Sequence, residues 1–310
     1  MEFERLAAVE RELITRNVGL HPHRYQRHPE TLSPSGVVIA GYAGHLFIAD
    51  GGNMWEQQIL GQRRLAPDAL QRWSSLLAAR AVRARQSGVR MVHLIVPEKQ
   101  MALPSFRWKT DMAPDPAGRP LVQILASAPA DVEIIYPLAL FDAHQAECEL
   151  YWRGNSHWCA SGCILAARAV IGALRGGEAF AADRFLLERA TIPHDLTAHF
   201  PDDLGFEEVI RIRPAGRRVM DNLAFQRTGH YSGSHYIVRN PDAPVAETLV
   251  IFGDSYACDL GLTAALTACF AEVHFVWSKQ IAWPYVAQTQ ARHVVWQSAE
   301  RFLITPPPED

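Results

Sequence analysis

The stretch ETLVIFGDS, Glu247 to Ser255, constrains this chain more than any other. A strand with one wet face alternates apolar and polar residues, whereas Leu249, Val250, Ile251 and Phe252 run on without a break. Such a strand is covered on both sides, and the usual cover is a set of helices. The chain supplies them at helical spacing. One helix is expected over residues 1–18, with Leu6, Val9, Leu13 and Ile14 as its stripe. Another runs from Pro67 to Ser87 on Leu70, Trp73, Leu76, Leu77, Ala81 and Ala84, with Gly88 as its stop. Further helices are expected at Leu121–Ser127, at Ala160–Leu174 before Gly176-Gly177, and at Leu260–Phe270. Between them lie short apolar runs that read as strands: VVIAGYAGHLFIADGG broken by its glycines, MVHLIVP, VEIIYP, EVHFVW and HVVWQS. This alternation predicts an α/β domain on a mainly parallel sheet.

The 310 residues show no internal repeat and no low-complexity linker. Residues 1–35 read as an N-terminal helix and a His- and Pro-rich tether, 36–305 as the α/β domain, and the end as an exposed proline-rich tail. The stretch from about 178 to 245 is less regular and reads as an insertion or lid.

Charge narrows the function. Thirty basic and 33 acidic residues leave a formal charge of −3, so nothing drives binding to a phosphate backbone and no nucleic-acid partner is expected. Arg211, Arg213, Arg217 and Arg218 cluster locally as a solvated face. No apolar run is long enough to span a membrane, and the charged start MEFERLAAVERELITRN is not a signal peptide, so the chain reads as cytoplasmic. A piece trimmed from an exported protein would read alike. Five cysteines, Cys148, Cys159, Cys163, Cys258 and Cys269, do not make a disulfide framework in a chain this size. Cys159 and Cys163 read as core residues on one helix face, and the tether histidines lack metal-ligand spacing; no metal or cofactor is expected.

The chemistry is expected where the apolar strand ends. Open parallel sheets bind ligands at the carboxyl ends of their strands. Ser255 in Gly253-Asp254-Ser255-Tyr256 stands at that point, before a helix whose first N–H groups can stabilise an oxyanion. The same position also suits a helix cap. A serine hydroxyl needs a base to attack, and His157 in Tyr151-Trp152-Arg153-Gly154-Asn155-Ser156-His157-Trp158, just ahead of a helix, is the candidate.

Those two motifs resemble the SGNH-hydrolase-like domain of the alginate O-acetyltransferase proteins of bacterial exopolysaccharide acetylation. That family has Asp-x-His-Trp ahead of a helix and a later Gly-(Asp/Thr)-Ser-(Tyr/Phe) after a strand, an order permuted relative to ordinary SGNH esterases. Smaller similarities occur in the same order: Gly44-His45-Leu46-Phe47, Pro97-Glu98-Lys99 followed by Leu103-Pro104, Asp203-Leu204 and Glu300-Arg301. The resemblance covers most of the chain from about residue 36. It implies a three-layer α/β/α SGNH-like fold, a Ser255–His157 acyl-enzyme mechanism, an acyl donor, and a carbohydrate or related hydroxyl compound as acceptor.

One position departs from the family. Asn155 stands where it has the aspartate that orients the histidine. An amide can hold the ring but carries no charge, and in serine proteases that exchange lowers turnover about 10⁴-fold. Three readings follow: a weakened enzyme, an enzyme with a substitute carboxylate from among Asp254, Glu149 and Asp50, or a silent carbohydrate-binding protein. An esterase is the alternative within catalysis. Gly253, Asp254 and Asn53, the last in the turn Gly51-Gly52-Asn53, are candidate oxyanion or substrate groups. Tyr256 and Trp158 are expected beside the substrate, and Lys99 is expected to neutralise a substrate charge or to sit at the surface.

Overall fold

A computed structural model describes residues 3–51, 53–108, 115–175, 184–223, 231–258 and 261–310. Its helices, in chain order, are α1 (Phe3–Leu20), α2 (Pro22–Gln26), α3 (Trp55–Ile59), α4 (Pro67–Gln86), α5 (Lys99–Ala102), α6 (Pro104–Arg107), α7 (Pro120–Ser127), α8 (Leu138–His144), α9 (Ala160–Arg175), α10 (Leu262–Leu266) and α11 (Trp283–Gln288). The strands are β1 (Val38–Ala40), β2 (Leu46–Ile48), β3 (Arg90–Val96), β4 (Ile134–Ile135), β5 (Leu186–Pro193), β6 (Phe206–Arg213), β7 (Arg217–Asn222), β8 (His235–Arg239), β9 (Val245–Gly253), β10 (Phe270–Trp277) and β11 (His293–Ala299).

Seven strands form one sheet in the order β4-β3-β11-β9-β10-β8-β7, with the apolar run of β9 in the middle. From β4 to β10 all neighbours are parallel; β8 and β7 then add an antiparallel edge. The unbroken apolar run has the expected cause. Leu249 and Ile251 enter a core shared with α9, while Val250 and Phe252 enter a second core shared with α4, α7 and α11. Period-two geometry sends neighbours to opposite faces, and all four side chains are fully buried. Each such burial is worth roughly 1.5–3 kcal/mol.

The long helix closes as its sequence suggests. Gly88 has φ +63°, its N–H reaches Arg85 O at 3.1 Å, and Val89 N reaches Ala84 O at 2.9 Å. This is the glycine-dependent Schellman stop. Other expectations need correction. VVIAGYAGHLFIADGG is a separate antiparallel hairpin, β1–β2, with Val38 opposite Ile48. Only Ile134 and Ile135 of VEIIYP pair with β3. The helix expected over Leu260–Phe270 is only Leu262–Leu266, because Cys269 turns back on Leu266 O (3.0 Å) and Phe270 already belongs to β10; Leu260 lies outside the described residues. Among the described residues, the region 178–245 holds four strands: β5 and β6 pair apart from the main sheet, and β7 and β8 extend it. Its half-exposed strands show weaker apolar patterning than the buried ones. The tail is anchored as well: Arg80 binds both Asp310 carboxylate oxygens, at 2.7 and 2.8 Å. No helix among the described residues is long and apolar enough to cross a membrane.

Candidate active site

The end of β9 is shaped by Gly253. A Cβ there would stand 2.6 Å from Gln297 Oε1 and 3.0 Å from Ala257 Cβ, so any larger residue would have to push the Gln297 amide away from the turn. Asp254 then locks the turn. Its carboxylate accepts from Tyr256 N at 3.0 Å, Gln297 Nε2 at 2.9 Å and Ala299 N at 2.8 Å, and its own N–H reaches Gln297 Oε1 at 3.0 Å. Thus Asp254 is a strut between strand ends and does not orient His157.

The turn and the Tyr151–Trp158 loop bring Ser255 and His157 together: His157 Nε2 lies 2.7 Å from Ser255 Oγ. The loop is tight, with Trp152 N bonded to His157 O at 3.2 Å and Tyr151 paired with Trp158 as an isolated bridge. Asn155 Oδ1 sits 3.0 Å from the backbone N–H of His157 and 2.7 Å from its Nδ1. A backbone N–H can only donate, so the amide atom facing the ring is oxygen, and Nδ1 carries the ring proton. That leaves the Nε2 lone pair for the Ser255 hydroxyl, the arrangement a general base requires. Burial pushes the His157 pKa down to about 4; Asp195 and Asp254 oppose the shift and Arg301 adds to it. The ring is therefore neutral at pH 7.

The sequence singled out Lys99, Trp158 and Tyr256, but not the part they play in supporting this loop. Lys99 is 1% exposed, and its Nζ lies 2.7–3.1 Å from four carbonyls: Leu46, Trp152, Arg153 and Asn155. It is neither a surface residue nor open to a substrate charge, and burial holds its pKa well below the usual value. Trp158 and Tyr256 are fully buried too, packed edge to face at 5.2 Å. Tyr256 Oη donates to Ser156 O at 2.7 Å, and its ring lies 4.6 Å from that of His157. Both brace the Tyr151–Trp158 loop from inside and leave no ring face open to a sugar.

Of the other carboxylates expected as partners of the ring, Glu149 pairs with Arg153 at 3.1 Å and Asp50 accepts from Gln57. Among the described residues the carboxylate within 4 Å of the ring is Asp195, with Oδ2 3.6 Å from His157 Nδ1. It accepts from Ser156 N at 2.8 Å and Ser156 Oγ at 2.5 Å. Its segment, Pro193-His194-Asp195-Leu196, carries no motif that could have marked it. The supposed tether secures this side: Arg24 of α2 is buried, binds Asp203 at 2.6 and 2.7 Å, and also contacts Glu207. Gly154 leaves no room for a Cβ beside Arg24 and Thr197. Thus Asp203 forms an ion pair, as do three other residues of the small similarities: Glu98 with Arg301 at 2.8 Å, and Glu300 with Arg119 at 2.5 Å. Asn53 gives its carbonyl to Gln58 Nε2 at 2.7 Å; among the described residues no hydrogen bond joins it to Ser255, and Gly52 lies outside them.

No protein-family model matches this sequence, and comparison with curated proteins gives no match. Solved structures do match in fold. PatB1 of Bacillus cereus, in a form with a sulfonyl adduct, superposes with TM-score 0.59 at 14% identity, over 78% of this chain and 91% of that one. A DHHW family protein of Eubacterium siraeum gives 0.60 at 13% identity, over 86% and 91%. The O-acetyltransferase domain of Pseudomonas putida AlgJ gives 0.55 at 20% identity, over 87% and 93%. At such identities the likeness shows a shared fold alone, an α/β architecture on a mainly parallel sheet.

Proposed function

We propose that this chain is a serine-dependent O-acyltransferase of the three-layer SGNH type, which moves an acyl group, in the simplest case acetyl, onto a hydroxyl of a carbohydrate or related acceptor. The observation that carries the reading is the 2.7 Å contact between Ser255 Oγ and His157 Nε2 at the carboxyl end of a central parallel strand. The fold shared with the AlgJ O-acetyltransferase domain supports transfer over other acyl chemistry.

In the first half-reaction, Ser255 Oγ attacks the donor carbonyl as His157 Nε2 takes the hydroxyl proton. The tetrahedral intermediate collapses, the leaving group departs with the proton from His157, and the acyl group remains as an ester on Ser255. In the second, His157 takes the proton of an acceptor hydroxyl, that oxygen attacks the acyl carbon, and Ser255 leaves and regains the proton. Asn155 keeps the Nδ1–H tautomer throughout, so Nε2 is free to accept.

The test is incubation with an activated acetyl ester, with and without a sugar acceptor, following Ser255 by mass spectrometry. Acetyl-Ser255 and acetylated sugar are expected. Free acetate alone, undiminished by acceptor, would make the protein an esterase. An unlabelled Ser255 without turnover would refute catalysis.

A further inference from the structure

The ring of His157 is held by one residue and faces the charge of another. Asn155 Oδ1 takes the Nδ1 proton at 2.7 Å and brings no charge. Asp195, 38 residues beyond His157 in the chain, receives Ser156 N and Ser156 Oγ and leaves Oδ2 3.6 Å from Nδ1. We propose that Asp195, coupled to the ring through the Ser156 hydroxyl, supplies the negative charge that stabilises His157 when it is protonated, while Asn155 only orients it. This rests on the acyl-transfer reading for its consequence in catalysis, though not for its contact.

Three features of the geometry support the assignment. The Ser156 hydroxyl hydrogen points to Asp195, so its oxygen, 3.3 Å from Nδ1, is a second and weaker acceptor that shares the single Nδ1 hydrogen with Asn155 Oδ1. Asp195, Ser156 and the imidazole thus form a short chain that polarises as the ring gains charge. The other charged groups acting on His157 are engaged elsewhere: Asp254 is held by three donors, and Arg301 by both oxygens of Glu98 at 2.8 Å. Finally, Asp195 is ionised at neutral pH. Burial alone would raise its pKa, but the nearby His157 and the two Ser156 donors outweigh that and hold it below the usual carboxylate value. Its side chain is 42% exposed, so water screens part of the interaction. Asp195 is accordingly a positioning residue with a smaller effect than a buried triad aspartate.

The proposal is tested by D195N, S156A and the double variant N155D/D195N, each checked for folding by circular dichroism. The readouts are the Nδ1–H resonance and pKa of His157 by NMR and the rate of acyl-Ser255 formation across pH. D195N is expected to lower the histidine pKa and to slow acylation about 10- to 100-fold, short of the ~10⁴ for loss of a directly bonded carboxylate. S156A, which keeps the backbone donor, should move both readouts the same way by less. N155D/D195N, with the charge relocated onto the ring's own partner, should recover at least tenfold over D195N. A D195N protein that folds but leaves histidine pKa and acylation unchanged overturns the proposal, as does a D195N loss that N155D does not relieve. If D195N does not fold, an S156A protein with unaltered pKa and rate overturns it instead. If no variant is acylated, the transfer reading fails by itself, and the NMR titration still decides whether Asp195 acts on the ring.

Discussion

Replacing Lys99 with methionine tests how the Asn155–His157 loop is held. Methionine matches the length of the aliphatic stem and removes the ammonium. Three N–H donors serve four carbonyls, of Leu46, Trp152, Arg153 and Asn155. A hydrogen bond to a charged group is worth about 1.5–3 kcal/mol, so three come to roughly 5–9 kcal/mol before the unfavourable burial of the charge is removed. Two acceptors keep a second partner, since Arg153 O also receives Leu46 N at 2.8 Å and Trp152 O receives Asn155 N at 3.4 Å. The net loss expected for K99M is therefore about 3–5 kcal/mol, a large share of a typical domain stability of 5–15 kcal/mol. Urea denaturation followed by tryptophan fluorescence measures it. Three of the four carbonyls belong to the loop carrying His157, and a 1 Å misplacement of a reacting group can lower a rate about 100-fold. Acyl-Ser255 formation should thus slow at least tenfold in whatever fraction stays folded. A K99M protein within 1 kcal/mol of wild type, with its rate lowered only for anionic substrates, would refute this reasoning and return Lys99 to a substrate-binding role.

S255A should abolish acylation, by at least 10³-fold, with an unaltered urea midpoint; a shifted midpoint would mark Ser255 as a structural cap instead. G253A forces a Cβ against Gln297 Oε1 at 2.6 Å, and a destabilisation of about 1–3 kcal/mol with slower acylation is expected from overpacking the turn. Burial lowers the pKa of His93 to about 3, with Arg80 adding to the shift and the Glu133 backbone opposing it. Below pH 6.5 the unfolded chain protonates this ring first, so its contribution to stability falls with pH, by on the order of 3 kcal/mol by pH 4. H93L should remove that part of the acid sensitivity, visible as a smaller difference in denaturation midpoint between pH 7 and pH 4. Glu10, raised to about 7 chiefly by burial, acts oppositely: its contribution is present below pH 4.5 and lost as pH rises through 7. E10Q should therefore flatten the profile between pH 4.5 and 7 from the other side.

Several residues of the short motifs around the site stand in buried ion pairs. Glu98, Arg301, Arg119, Glu300, Arg24 and Asp203 are buried charges in mutual contact. Removing one partner of such a pair strands the other, typically at 3–5 kcal/mol. Residues of this kind are thereby constrained by one another without touching substrate.

What the sequence alone determined follows from local rules. Apolar runs without alternation imposed a covered parallel sheet, a helical stripe ending at Gly88 placed α4, and a Gly-Asp-Ser turn after β9 marked where a hydroxyl would stand. The pairing of Ser255 with His157 was legible because each sits at the end of a recognisable element. Tertiary structure alone decided the rest, because the deciding contacts join residues far apart in the chain. Lys99 reads as an ordinary charged residue until the carbonyls of residues 46 and 152–155 converge on it. Trp158 and Tyr256 read as site aromatics until packing buries them beneath the loop. Asp195 lies in a segment without pattern, and only the fold of the β5–β6 region onto Ser156 brings its carboxylate to the ring that Asn155, lacking charge, can merely hold.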